Sequence, residues 1–404
     1  MQATTSGDGG RAGLGDAEAR APPLSLVHGD PAYRLHRAVG LVPAGGLGVG
    51  RRAVFYALLT WLPIAAWAFM RGRLAGGAGD DPLLAHFGVH VRCLVAVPLL
   101  ILAEKFLHDV TLRILPQFLR AQIVTDEAPY LRVVASVARL RDSAAPWAVI
   151  AGLAVAWCLL ASFGPWPHEV VWAAEGNADG PLGFGGWWYL YVARPVYVTL
   201  VLACIWRLVL VTLLTSRLGR LDLSLVPTHP DRVGGLGFLA PLPAAFAPAV
   251  LAMSAVLAAS WGHGVVYHDV ALASLRLEAA AFLALILAAL LAPLAMFAPV
   301  LVRTKRRALL DYAALVERHG RAVHARWIER TPAAHDADLL AAPEIGPVAD
   351  TAAIYEAVAR MRMAPITMAS VLAVLVPAVI PMLLVVASKI PLKTLLLSLA
   401  RALT

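Results

Sequence analysis

Charge is scarce in this 404-residue chain: Asp, Glu, Lys and Arg together make up 15%, against about 25% in ordinary soluble domains. With 60% of its residues apolar, the chain has too little polar surface to cover a water-soluble particle of this size. Cysteine is nearly missing as well. Cys93, Cys158 and Cys204 all lie in apolar stretches, with no CxxC or CxxH spacing, which excludes a disulfide framework and a zinc ribbon. The usual catalytic signatures are absent: there is no GxSxG elbow, no HExxH helix and no DxxDG-type alcohol phosphotransferase pattern. An enzyme is therefore not the favoured class, and no cofactor is implied. The N-terminus lacks a secretory signal pattern.

What the chain has instead is length in its apolar runs. Ala53–Met70, Leu83–Glu104, Ala145–Phe163, Trp188–Leu214, Pro241–Gly262, Arg276–Val302 and Ile366–Ser388 each approach the roughly 20 residues a helix needs to cross a bilayer. The expected fold class is all-α: a polytopic transmembrane bundle of about seven spans, with the lipid bilayer as its main partner. The formal charge of +8 does not signal nucleic acid, because basic residues alternate between loops. Segments 1–52, 105–143, 215–235 and 303–365 carry 25 Lys and Arg; 71–82, 164–187, 263–275 and 389–404 carry 5. The positive-inside rule then places the N-terminus in the cytoplasm. Trp166, Trp172, Trp187, Trp188, Tyr189 and Tyr191 form an expected aromatic belt at the outer interface. Pro377, Pro381 and Pro391 leave a re-entrant last span as the alternative to a full crossing.

Residues 1–30 hold Gly7, Gly9, Gly10 and Pro22-Pro23 and are expected to be a disordered tail. The membrane domain covers 31–302. Within it, 105–143 reads as an amphipathic segment near the inner surface, with Ile123, Leu131, Val134, Val137 and Leu140 on its apolar side. Residues 303–365 read as a cytoplasmic helical hairpin that continues the sixth span, and 366–404 as the final span and an interfacial tail.

Candidate functional residues come from two places. Ionisable groups inside apolar runs are costly, about 2.5–3.5 kcal/mol at a helix centre, and point by default to a polar path. His90, Arg92 and Glu104 of the second span and Arg194 and Arg207 of the fourth form that set. His86 and His90, at i and i+4, are also the candidate metal or haem ligands. The second place is Pro227-Thr228-His229-Pro230-Asp231-Arg232-Val233-Gly234-Gly235-Leu236-Gly237. Here Gly234 and Gly235 permit positive φ, and His229, Asp231 and Arg232 stand beside backbone amides. The segment reads either as an inner anion or proton loop or as a rigid turn whose Asp231 is internally paired. It is not a Walker loop, since no Gly-Lys-Ser/Thr follows.

Tyr33-Arg34-Leu35, Gly40–Pro43, His90-Val91-Arg92 with Pro98–Glu104, Arg220–Leu223 running into Pro227–Gly237, and Tyr355-Glu356 with Met361-Arg362 occur together. As a set they resemble a family of uncharacterised multi-pass bacterial inner-membrane proteins. The resemblance implies architecture and carries over no substrate, cofactor or catalytic residue. The leading functional expectation is a channel- or transporter-like protein for a small ion or polar solute. A membrane-anchored scaffold that meets a soluble cytoplasmic partner through 303–365 is the alternative, and an outer-side metal or haem protein the third.

Overall fold

The computed structural model describes residues 24–43, 46–75, 82–162, 168–174, 181–267, 271–329 and 346–389. Expectations for 1–23, 330–345 and 390–404, and for Trp166, lie outside the described residues. All regular structure among the described residues is helical, apart from one isolated bridge between Ala174 and Leu182. We number the helices α1 (Pro31–Ala38), α2 (Val49–Met70), α3 (Phe87–Arg120), α4 (Glu127–Asp142), α5 (Ala145–Ser162) and α6 (Phe184–Leu218). They continue as α7 (Ala247–Tyr267), α8 (Arg276–Ala295), α9 (Ala298–Trp327), α10 (Gly346–Ala359) and α11 (Met368–Lys389).

Six helical segments are long and apolar enough to cross a membrane: α2, α3, α6, Leu236–Val265 (which contains most of α7), α8, and Met368–Ala387 of α11. The chain is a multi-pass α-helical membrane protein. α5 stands where the remaining expected span falls; its 18 residues make about 27 Å of helix. More than half of α3 and of the α7 segment is buried, against 17% of α8. α3 and α7 are thus the centre of the bundle, with α8 at its edge. α11 packs along α7, where Met382 and Val385 meet Ala258, Trp261 and Val265. It runs unbroken through Pro377 and Pro381 for 22 residues, about 33 Å.

Proline sets the irregularities in the spans. A proline inside a helix has no N–H for the carbonyl four residues back, and its ring crowds that carbonyl. In α3 the turns Val91–Ala96 widen to π geometry just before Pro98, and in α6 Tyr189–Ala193 do the same just before Pro195. The sixth expected span does not run on into the cytoplasmic helix. It stops at Ala295, and α9 restarts at Ala298 with Pro299 in its first turn, where a missing N–H costs nothing.

The largest buried cluster sits at the end of the bundle where the loops are basic. It joins Leu107, Phe118, Leu210, Leu214 and Leu290 of the spans to Ile123, Leu223, Val233, Phe297 and Met361 of the connections. α4 adds Tyr130, Val134 and Val137, one face at i, i+4 and i+7. Two expectations are corrected here. Residues 24–30 are not part of a disordered tail, because Leu24, Leu26, Val27 and Asp30 are buried; three apolar residues in seven give that stretch a face to bury. Trp172 and Tyr189 are not belt residues but core, packed with Trp67, Leu83 and Cys93, while Trp187 and Tyr191 remain exposed and stack at 4.8 Å.

Candidate functional site

Four charged side chains from four elements meet inside the bundle. Asp30 caps α1: its Oδ1 accepts the Tyr33 N–H at 2.6 Å, and Pro31 supplies the preset φ of the first helical residue. The other Asp30 oxygen, Oδ2, accepts from Arg207 Nη2 of α6 at 3.0 Å. Arg207 Nη1 lies 3.1 Å from Glu104 Oε1 of α3, and Glu104 Oε2 accepts from Arg52 Nη1 of α2 at 2.5 Å. None of the four is more than 5% exposed. Two guanidiniums face two carboxylates, so the cluster is neutral as a whole, which is what allows it to be buried.

A cavity of about 210 Å³ adjoins this cluster, lined by His36, Arg52, Tyr56 and Glu104 on one side and by Trp147 of α5 and Pro195–Ala203 of α6 on the other. His36 and Tyr56 share a hydrogen bond of 2.7 Å between Nε2 and the hydroxyl. Burial, reinforced by the Arg52 guanidinium, lowers the His36 pKa to about 4, so the imidazole is neutral at pH 7. Three cavity residues carry buried nitrogens that meet no hydrogen-bond partner among the described residues: His36 Nδ1, Arg52 Nε and Trp147 Nε1. The last two are obligate donors. All three atoms are themselves buried, so they lie behind a mostly apolar cavity wall rather than on its open face.

The expected polar path divides into two levels. Glu104 and Arg207 belong to the cluster above. Arg92 lies instead between the rings of Tyr189 and Tyr197, at 5.6 and 5.5 Å from their centroids, held where the two π turns bring α3 and α6 together. His90 accepts from Trp61 Nε1 at 2.9 Å through Nδ1, and its Nε2 meets the Leu83 carbonyl at 3.0 Å. Both nitrogens of His90 are engaged, which leaves none for a metal. His86 stacks on His263 at 5.2 Å, and among the described residues no group of three or more His, Cys, Asp and Glu is placed to hold a metal. Arg194 lies 5.8 Å over the Trp157 ring of α5. Fourteen residues separate His90 from Glu104, about 21 Å of helix. Ala96, Leu100 and Ala103 fill that interval against Ala249 and Ala252 of α7.

The Pro227–Gly237 loop is a separate structure. Asp231 Oδ1 accepts from the amides of Val233 (2.8 Å) and Gly235 (3.2 Å), and Oδ2 from Gly237 (2.8 Å). Arg232, Gly234 and Gly235 take φ of +60°, +69° and +96°, which wraps the amides round that carboxylate. Burial raises the Asp231 pKa, but the three amides and the nearby His229 ring outweigh it and hold the carboxyl below its usual range. The nest of amides is thus filled by the loop's own anion. Arg362 fastens the loop to the approach to α11, its N–H donating to the Arg232 carbonyl at 2.7 Å and its Nη2 to the Asp231 carbonyl at 3.1 Å. Lys305 of α9 donates to the carbonyls of Ala359 and Met361 at the end of α10.

Sequence reasoning missed Asp30, Arg52, His36 and Tyr56. Asp30-Pro31 was a legible signal, since Asp before Pro marks a helix start. Arg52 was not, because it stands beside Arg51 at a span end and reads as a flanking charge. No protein-family model, no curated protein and no solved structure matches the chain, so its chemistry is read from these residues.

Proposed function

We propose that this is a bacterial inner-membrane protein, N-terminus in the cytoplasm, that binds and passes a small polar solute or anion. The family resemblance of its motifs is part of the same proposal. The observation that carries it is the 210 Å³ cavity beside a neutral, fully buried charge cluster, with the N–H groups of Arg52 and Trp147 unpaired by described residues. A solute rich in oxygen acceptors replaces its lost water bonds with the Tyr56 hydroxyl and with the Arg52 and Trp147 N–H groups, which become donors to it once their side chains turn towards the cavity. Because Arg52 is already balanced by Glu104, the cavity attracts such a solute without trapping it as a bare buried guanidinium would. Tyr56 and His36 supply a hydroxyl and a neutral ring that accept or donate as the solute requires. The Ala96–Ala252 layer is the barrier between this station and the Arg92 level. The adjacent π turns at Val91–Ala96 and Tyr189–Ala193 are where the helices flex to open it.

The test is flux of small anions and neutral polar solutes in proteoliposomes. Tyr56→Phe removes one hydroxyl at little change in volume and Trp147→Phe removes the indole N–H along with part of the ring; each is expected to lower transport about two- to tenfold, the worth of one hydrogen bond. Vesicles that stay tight to the whole panel refute the proposal.

A further inference from the structure

A second, larger cleft of about 1150 Å³ opens between the end of α6, the 219–227 segment and the first turns of α9. Two helix stops create it. α6 ends at Leu218, and Gly219 lets the chain pass close under the α8–α9 break: a Cβ on Gly219 would stand 3.0 Å from the Met296 carbonyl oxygen. The chain beyond, through Leu223–Val226, has no regular structure and is tied away from α9 by the Ser224 N–H, which donates to the Ile123 carbonyl at 2.8 Å.

Three guanidiniums line the cleft: Arg220 on one wall, and Arg303 and Arg307, one helical turn apart, on the other. All three are exposed, and none makes a side-chain hydrogen bond or ion pair with a described residue. The exposed Arg306 and Arg318 of α9 are likewise unpaired among the described residues, so what sets these three apart is that they line one cleft. On the same helix Arg321 pairs with Glu317 at 2.6 Å, and on α10 Arg360 pairs with Glu356 at 2.7 Å, both at i, i+4 spacing. Arg307 has Asp311 at that spacing and does not pair with it. Asp222 and Asp311 also line the cleft, so its charged lining is three positive and two negative, with Ser216, Ser224 and Thr304 hydroxyls between.

We propose that this cleft binds a phosphate group. Guanidinium forks match phosphate oxygens two at a time, and hydroxyls complete such a site with neutral donors. The cleft lies immediately beyond the spans that end at Leu218 and Ala295, the depth at which lipid phosphates lie. The same chemistry is offered by the headgroup of an anionic phospholipid and by a soluble phosphate. The proposal is independent of the solute cavity and stands or falls by its own test.

The full-length protein is placed in phosphatidylcholine nanodiscs. One arm adds a minor fraction of phosphatidylglycerol and counts retained lipid by native mass spectrometry. The other titrates inorganic phosphate and pyrophosphate by calorimetry. Arg220→Gln, Arg303→Gln and Arg307→Gln are each expected to weaken binding about tenfold or more. Arg306→Gln, exposed on α9 but outside the cleft lining, is expected to leave it unchanged. Binding in the lipid arm alone assigns a headgroup; binding in the titration alone assigns a soluble phosphate; both support the proposal. Absence of binding in both arms overturns it. So does equal weakening by Arg306→Gln, which would reduce the effect to general surface charge.

Discussion

Glu104→Gln isolates what the buried cluster contributes. The substitution keeps shape and one carbonyl oxygen but removes the charge that two guanidiniums share, at 2.5 Å to Arg52 and 3.1 Å to Arg207. Asp30 is then the one carboxylate left in the cluster, which acquires a net positive charge where every member is at most 5% exposed. Leaving a buried charge uncompensated costs about 3–5 kcal/mol. The single variant is therefore expected to be strongly destabilised, read as a large drop in the melting temperature of the detergent-purified protein. The double variant Arg52→Met, Glu104→Gln removes one charge of each sign and leaves the Arg207–Asp30 pair, at 3.0 Å, intact. It is expected to recover much of the loss, which makes the pair strongly non-additive. A single variant within about 0.5 kcal/mol of the parent, or a double variant as unstable as the two singles summed, would refute the reasoning.

Three further outcomes follow from the geometry. Asp231→Asn is expected to cost about 1–3 kcal/mol by weakening three amide bonds. Because the folded pKa is depressed, the parent's advantage is full above the ordinary value of 3.8 and fades as pH falls through the lower folded value; melting curves of both proteins against pH check this. His36, held near 4 against an ordinary 6.5, makes the unfolded chain bind the extra proton between those values. Stability should then fall as pH drops from 6.5 towards 4, and His36→Gln should flatten that slope in the same melting assay. Lys305→Met removes the donor to Ala359 and Met361, and hydrogen exchange across 346–362 is expected to quicken while α7 is unaffected.

The architecture was legible because crossing a bilayer demands length in apolar residues, and composition alone reports that. Boundaries were less so. α3 runs on to Arg120, past Lys105, His108, Asp109 and Arg113, because a helix leaving the membrane turns its polar residues outward while Leu107 and Ile114 stay buried. The stop at Ala295 needed Pro299 to be read as a helix start rather than a kink. In the site, Glu104 and Arg207 stood out as charges inside apolar runs. Arg51 and Arg52 have the same composition and opposite fates, one exposed and one 2% exposed. A turn of about 100° between them decides that, and its phase is set by partners far along the chain. Asp30 reaches Arg207 across 177 positions, a pairing local patterns do not encode.

The central claim is that the cavity beside Arg52 and Glu104 is reached by water-borne solutes from within the protein. Thr199 lines that cavity, whereas Leu210, on the same helix, is fully buried in the core. In a background with Cys93, Cys158 and Cys204 replaced by Ala, Thr199→Cys and Leu210→Cys are exposed in membranes to a small charged methanethiosulfonate reagent. The account predicts that Thr199→Cys is modified, that the solute carried in the flux assay slows the modification, and that Leu210→Cys stays unreacted. Thr199→Cys that resists the charged reagent yet reacts with a lipid-soluble maleimide would contradict it, because the cavity would then open to lipid and not to a solute path.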